Sequence, residues 1–168
     1  ILGVINSIEE VQALIRWQLD ATLCSPQQAR MFGEVSEVLG KTLSVHLKID
    51  TGMSRLGVLW EEAVSFVRGV QQFPNLKIKS VYSHLATADE EDDTFMQVQK
   101  QRYDSAIAQL KGMGITPPCL HLANSAATLR DSRFHYDLVR VGLAIYGLFP
   151  SPHLSAIARL KPVLEVKA

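Results

Sequence analysis

Two rhythms of apolar and polar positions alternate along the chain. Ile1-Leu2-Gly3-Val4-Ile5 reads as a strand already under way, and Ser7-Ile8-Glu9-Glu10 has the Ser-x-x-Glu form in which hydroxyl and carboxylate cap a helix start reciprocally. Val11, Leu14, Ile15 and Gln18 follow at helical spacing. The apolar-rich run Leu19 to Leu23 predicts a strand. It ends at Ser25-Pro26-Gln27-Gln28, where Ser25 suits the cap, Pro26 the first helical position and Gln28 the closing of a capping box. The unit then repeats. Strands are predicted over Leu43 to Asp50, Ile78 to Leu85, Leu120 to Ala123 and Leu138 to Val141. Helices are predicted over Glu61 to Gln72, Asp93 to Lys111 with Gly112 as the stop, and Ser125 to Arg130. Strand and helix alternating in this way predict βαβ units and a parallel sheet.

The two faces of the strands narrow the choice of fold. In Val45-His46-Leu47-Lys48-Ile49-Asp50 apolar side chains alternate with His46, Lys48 and Asp50, and in Val81-Tyr82-Ser83-His84-Leu85 the polar bodies Tyr82 and His84 share a face. A doubly wound sheet is covered by helices on both faces and favours continuous apolar runs. One face that collects polar groups near the C-terminal strand ends instead fits the interior and mouth of a (β/α)8 TIM-type barrel. Such a barrel takes about 250 residues, and this chain has 168. We therefore expect a partial barrel running from a remnant of the third strand through the eighth. Residues 1–149 would belong to the barrel, with its N-terminal units missing, and 150–168 would lead into a C-terminal β domain.

Composition removes several classes of partner. Lys and Arg number 17 against 17 Asp and Glu, a formal net charge of zero, so nothing in the balance favours nucleic acid or an anionic membrane surface. The charge-free stretch near the C-terminus is broken by Pro150, Pro152 and His153 and cannot form a spanning helix. No signal peptide is expected from the first residues. Cys24 and Cys119 lie far apart without metal-binding spacing, which fits a reducing, cytoplasmic setting.

Several strand-end residues carry possible chemistry. Lys48, Asp50 and Arg55 sit in Lys-Ile-Asp-Thr-Gly-Met-Ser-Arg-Leu-Gly, a strand end followed by a Gly-containing loop that could aim a guanidinium at a carboxylate. The plain alternative is an interior Lys48–Asp50 pair beside a surface arginine. His84 is a second residue at the mouth, although a lone histidine more often has a structural role. Asn124-Ser125 offers a hydroxyl and free helix amides to an anion, or a simple helix cap. Arg140-Val141-Gly142-Leu143 closes the last strand, where such barrels often bind phosphate. His46, His84, His121, Lys48 and Asp50 could be imagined as a hydrolytic metal cluster, but neither a His-x-His strand nor a His-Glu-x-x-His helix is present, so no metal is expected.

Taken together these segments resemble the alanine racemase family. The resemblance rests on Val45-His46-Leu47-Lys48-Ile49-Asp50-Thr51-Gly52-Met53-Ser54-Arg55-Leu56-Gly57, Ser83-His84-Leu85-Ala86-Thr87-Ala88-Asp89-Glu90, His121-Leu122-Ala123-Asn124-Ser125-Ala126-Ala127 and Val139-Arg140-Val141-Gly142-Leu143-Ala144-Ile145-Tyr146-Gly147-Leu148. It extends to Pro150-Ser151-Pro152. It implies a pyridoxal 5'-phosphate enzyme with a barrel and a C-terminal β domain. Arg55 would hold the substrate carboxylate, oriented by Lys48 as a carbamate, which requires a neutral amine and hence a depressed lysine pKa. His84 would pack beside the cofactor ring and hydrogen-bond with Arg140. Asn124 and Ser125, with backbone N–H groups of Gly142 and Leu143, would surround the cofactor phosphate. Arg140 would face the ring nitrogen as a donor.

The same resemblance implies interconversion of L- and D-alanine for peptidoglycan precursors, in a bacterial cytoplasmic homodimer. The family's Schiff-base lysine lies in a Val-Lys-Ala-Asn-Ala-Tyr-Gly-type motif that this sequence lacks, and no tyrosine present matches the family's second base. No catalytic acid or base of the family is thus present, and the chain alone is expected to be inactive, because racemisation needs groups on opposite faces of the α-carbon. The alternatives are another amino-acid racemase on the same scaffold and a non-catalytic, truncated cofactor-binding protein.

Overall fold

The computed structural model describes residues 1–163. Helix α1 spans Ile8–Arg16, with the Ser7 and Glu10 capping box formed as expected. Strand β1 (Ala21–Leu23) and helix α2 (Pro26–Val38) follow. Ser25 caps α2 through its side chain. Gln28 does not close a box on Ser25. Its Oε1 accepts from Cys24 N–H at 2.8 Å and its Nε2 donates to the Ile5 carbonyl at 3.0 Å, tying the first residues to the start of α2. Those first residues are not a strand; Ile1 to Asn6 have irregular backbone.

Strand β2 (Leu43–Asp50) agrees with the reading of the sequence, whereas the two-residue β3 (Val58–Leu59) was not anticipated. A 3-10 turn at Trp60–Glu62 leads into α3 (Ala63–Gln71), so only the later part of the helix expected from Glu61 is α-helical. Strand β4 is Leu76–Tyr82, and α4 (Thr94–Gly112) runs through Gly112, with Gly114 adopting the left-handed backbone just beyond. Strand β5 (Leu120–His121) is shorter than expected, and α5 (Ser125–Arg130) is as expected. The segment 138–141 is not a strand. It is attached instead by single hydrogen bonds, Asp137 N–H to the Leu120 carbonyl and Arg140 N–H to the Ala123 carbonyl. Residues 164–168, the end of the segment expected to lead into a β domain, lie outside the described residues.

The strands are all parallel in the order β1-β2-β4-β5, with β3 paired to the end of β2. Register on β2 and β4 contains one irregularity: Val45 pairs with Ile78, but the next residue, His46, pairs with Ser80, so Lys79 is an extra residue on β4. On one face Val45, Leu47, Ile49 and Val81 join Val11, Leu14, Phe32, Phe66, Met96 and Leu110 in a single buried core. Each such large side chain contributes about 1.5–3 kcal/mol by leaving water. The opposite face is polar and nearly as dry. Thr22 and Tyr82 share a hydrogen bond of 2.8 Å there, and Lys48 stands over the Tyr82 ring. An apolar helix side and a polar inner side are the division that a barrel interior requires.

Candidate active site

The site assembles where the strands end. At the end of β2 the Asp50 carboxylate accepts from Gly52 N–H at 2.9 Å and Ser54 N–H at 3.1 Å, which turns the chain sharply. Gly57 has φ +115°, and a Cβ there would lie 2.8 Å from the Lys48 carbonyl oxygen. Only glycine permits the loop to fold back this closely onto β2. Arg55 is carried on that loop and is exposed at the mouth. Lys48 and Asp50 form no ion pair. Lys48 instead points into the interior, 4% exposed, with Nζ 5.8 Å from the centre of the Tyr82 ring.

After β4 the chain passes through Ser83 and His84. The Ser83 hydroxyl meets Thr51 Oγ1 at 2.9 Å, and Gln99 of α4 donates to the His84 carbonyl and accepts from Ala86 N–H. After β5, Asn124 caps α5 by accepting from Ala127 N–H, while Ser125 Oγ accepts from Gly142 N–H at 2.8 Å and Ala144 N–H at 3.4 Å. These elements surround an open cleft of about 370 Å³ whose lining includes His84, Asn124, Ser125, Arg140, Gly142 and Leu143. All six were singled out from the sequence. Lys48 and Arg55 do not line this cleft; their charges are nonetheless felt at His84 from the neighbouring part of the mouth. A second cavity, of about 360 Å³ between α2 and α3, lies on the helix side of the sheet, away from these groups.

Arg140 is half-buried and anchored through both of its terminal nitrogens. Its Nη2 donates to the Ser83 carbonyl at 2.7 Å and the Leu122 carbonyl at 3.1 Å, and its Nη1 to His121 Nδ1 at 2.5 Å. The guanidinium lies 4.9 Å from the Tyr82 ring centre, and that ring stacks on His121. The expected His84–Arg140 hydrogen bond is therefore absent: His121, one strand over, takes that place. The sequence places His121 in the motif His121 to Ala127 and in the rejected metal cluster, without marking it as the partner of Arg140. The available signal was its inward position on the last strand before α5, level with Tyr82. Among the described residues no group of three or more His, Cys, Asp or Glu is arranged to hold a metal ion.

Cations outnumber carboxylates at the mouth, where Arg140 lines the cleft with Lys48 and Arg55 beside it and Asp89 on its wall. Burial, then the charges of Arg140, Lys48 and Arg55, pull His84 down to about 4. Burial followed by Arg140 and His46 pulls His121 down to about 3. Lys48 is lowered from the ordinary lysine value chiefly by burial, with Arg55 and Arg140 adding to the effect against Cys24 and Asp50. Neither Lys48, Arg55 nor Arg140 has a carboxylate partner among the described residues. Such a mouth suits a ligand that brings its own negative charge.

The family described as alanine racemase, N-terminal domain, matches residues 1–150. The chain belongs to this family. Curated relatives named alanine racemase include one from Nostoc sp., 54% identical over the whole chain and 44% of its own length, and one from Synechocystis sp., 54% identical over the whole chain and 45% of its own length. Among solved structures, the alanine racemase of Clostridium difficile 630 in complex with cycloserine superposes with a TM-score of 0.90 at 27% identity, covering 95% of this chain and 44% of that one. The Bacillus anthracis alanine racemase with bound L-Ala-P gives 0.85 at 29% identity, covering 96% and 42%. The chain thus spans less than half the length of the relatives it matches, and its parallel sheet is part of a TIM-like barrel. No helix among the described residues is long and apolar enough to cross a membrane.

Proposed function

We propose that the intact protein carrying this chain is a pyridoxal 5'-phosphate-dependent alanine racemase, and that the chain supplies the cofactor cradle and part of the substrate site. The observation that carries this reading is the convergence of His84, Asn124, Ser125, Arg140, Gly142 and Leu143 on one cleft beside Lys48 and Arg55, with none of the three basic side chains paired to a carboxylate among the described residues. The donor set fits the group. The Ser125 hydroxyl, the first two amides of α5 and the Leu143 N–H are suited to a phosphate dianion, and the Gly142 N–H, which here donates to Ser125 Oγ, would turn to it. Arg140 has no acceptor atom, so it can only donate to a ring nitrogen and leaves that nitrogen neutral. When bound, the cofactor supplies an electron-withdrawing ring that makes a substrate α-proton removable.

The remaining roles follow from charge and reach. Arg55, exposed on the loop after β2, would hold the alanine carboxylate. Lys48, buried among cations, is held toward its neutral amine, the form that takes up carbon dioxide as a carbamate. The resulting anion would offset Arg55. His84, held neutral, would flank the cofactor ring without adding charge. The acid and base that move the substrate proton are assigned to the rest of the intact protein, since the family's lysine motif and tyrosine are not in this sequence. We further assign residues 1–149 to the barrel and 150–168 to the connection into a β domain. The protein is placed in the bacterial cytoplasm as a homodimer that supplies D-alanine for peptidoglycan.

The test is to incubate the intact, cofactor-loaded protein with L-alanine and follow D-alanine by coupled oxidation. Equimolar L- and D-alanine at completion supports the reading. Turnover of a different amino acid in preference to alanine would move the protein to another racemase, and failure to retain the cofactor would overturn the reading altogether.

A further inference from the structure

Five side chains form one continuous hydrogen-bonded row along the inner face of the sheet. Arg140 Nη1 meets His121 Nδ1 at 2.5 Å, His121 Nε2 lies 2.8 Å from Ser80 Oγ, Ser80 Oγ lies 2.6 Å from His46 Nδ1, and His46 Nε2 lies 3.2 Å from Asp20 Oδ2. The row starts at the cleft and ends at a carboxylate whose side chain is 45% exposed.

The two ends fix the direction of every bond between them. A guanidinium only donates, so His121 Nδ1 must accept and its proton must sit on Nε2. That N–H donates to Ser80 Oγ. The single Ser80 proton is then free for His46 Nδ1, which accepts, and His46 Nε2–H donates to Asp20. An ionised carboxylate only accepts, and it closes the row. A donor-only group at one end and an acceptor-only group at the other leave no internal member able to reverse without breaking a bond.

We propose that Ser80, His46 and Asp20 are positioning residues for Arg140, acting through the tautomer of His121. Two of the Arg140 hydrogen bonds go to backbone carbonyls that the fold fixes, at Ser83 and Leu122. The third depends on a side chain with two possible tautomers. With its proton on Nδ1, His121 would present N–H to N–H and turn the guanidinium out of its plane. The row prevents this by giving the Nε2 proton a defined acceptor. Ser80 is fully buried and His121 is 4% exposed, so no water replaces a lost partner. Burial and the adjacent Arg140 charge keep His121 far below the ordinary histidine range, which suits an imidazole that must accept on one side. The extra residue Lys79 is what brings Ser80 opposite His46. The effect on turnover rests on the proposed role of Arg140 beside the cofactor ring; the tautomer itself does not.

The experiment is solid-state NMR of the intact protein labelled with ¹⁵N-histidine, recorded without cofactor. His121 and His46 are expected to carry their proton on Nε2 only. In Ser80→Ala both become mixtures of tautomers, and Ser80→Thr, which keeps the hydroxyl, restores the single form. In the loaded protein Ser80→Ala lowers kcat about tenfold while KM changes less than about twofold, as for a group that acts on the reaction rather than on binding. Should Ser80→Ala fail to fold, Asp20→Ala at the exposed end provides the same spectroscopic comparison. An Nδ1-protonated His121 in the parent protein, or an unchanged single tautomer in the variant, would overturn the row. Scrambled tautomers with unchanged kcat would overturn the positioning role. Intact tautomers in a protein that never binds cofactor would count against the proposed function alone.

Discussion

Gln99 clasps the backbone on both sides of His84: its Nε2 donates to the His84 carbonyl at 3.0 Å and its Oε1 accepts from Ala86 N–H at 2.8 Å. It is fully buried, and it also donates to Thr51 Oγ1, which holds the end of β2 beside the end of β4. Gln99→Leu removes all three bonds while keeping the bulk. Two partly buried backbone groups are left without partners, and the protein should lose about 2–4 kcal/mol of stability. Denaturant unfolding of the intact variant measures this. A loss below 1 kcal/mol would mean that the loop holds its own shape.

Acid should destabilise the protein well before its carboxylates titrate. His84 and His121 are held at about 4 and about 3 in the folded state, against 6.5 for the free side chain. Between those values the unfolded chain binds protons that the folded chain refuses, so stability rises with pH up to about 6.5 and is flat above. Each histidine adds at most about 1.4 kcal/mol per pH unit to the slope. Unfolding midpoints measured from pH 5 to pH 8 should show the rise and the plateau, and the slope should drop in His121→Asn. A pH-independent midpoint from 5 to 7 is incompatible with neutral buried imidazoles.

Gly57→Ala should damage the substrate side of the site selectively. Its φ of +115° and the 2.8 Å approach to the Lys48 carbonyl leave no place for a methyl group, so the loop carrying Arg55 must move. The expected result is a KM for alanine raised about tenfold or more, in line with lost carboxylate binding, with smaller change in cofactor affinity. Equal loss of both would place Gly57 in general folding.

If Lys48 is carbamylated, its modification should follow carbon dioxide. Labelling with ¹³C bicarbonate should give one carbamate signal by NMR that is lost in Lys48→Ala and on acidification. Added short-chain carboxylic acids should partly restore turnover in that variant. No signal at any bicarbonate level would leave Lys48 as a buried, unmodified amine.

Arg140→Glu reverses the donor at the end of the polar row. The variant carboxylate would draw a proton onto neighbouring nitrogen atoms and strengthen electron withdrawal by the cofactor. Pyruvate formed per D-alanine should therefore increase in the intact protein. An unchanged ratio argues against Arg140 as the ring partner.

Much of the cleft was legible from the sequence because its residues sit at strand ends and helix starts, where residue type and position coincide. Ser7 and Glu10, Ser25, Pro26 and Asn124 announce their helices through side chains that satisfy specific amides. The strand at 138–141 was overestimated: its alternation is real, but each hydrogen bond it makes is isolated, so apolar spacing outran backbone pairing. The identity of the Arg140 partner was illegible for a different reason. His84 and His121 are both strand-end histidines, and choosing between them requires the stagger of β4 against β5, which periodicity does not encode.

The extra residue at Lys79 makes counting, rather than chemistry, decide what the inner face contains. Were β4 to pair with β2 without skipping Lys79, every functional side chain would still be present in the sequence, yet Lys79 would stand opposite His46 and Ser80 opposite Leu47, on the helix side. For comparing relatives, the presence and place of this bulge therefore outweigh most substitutions in β4: they decide which letters of the strand are read by the site.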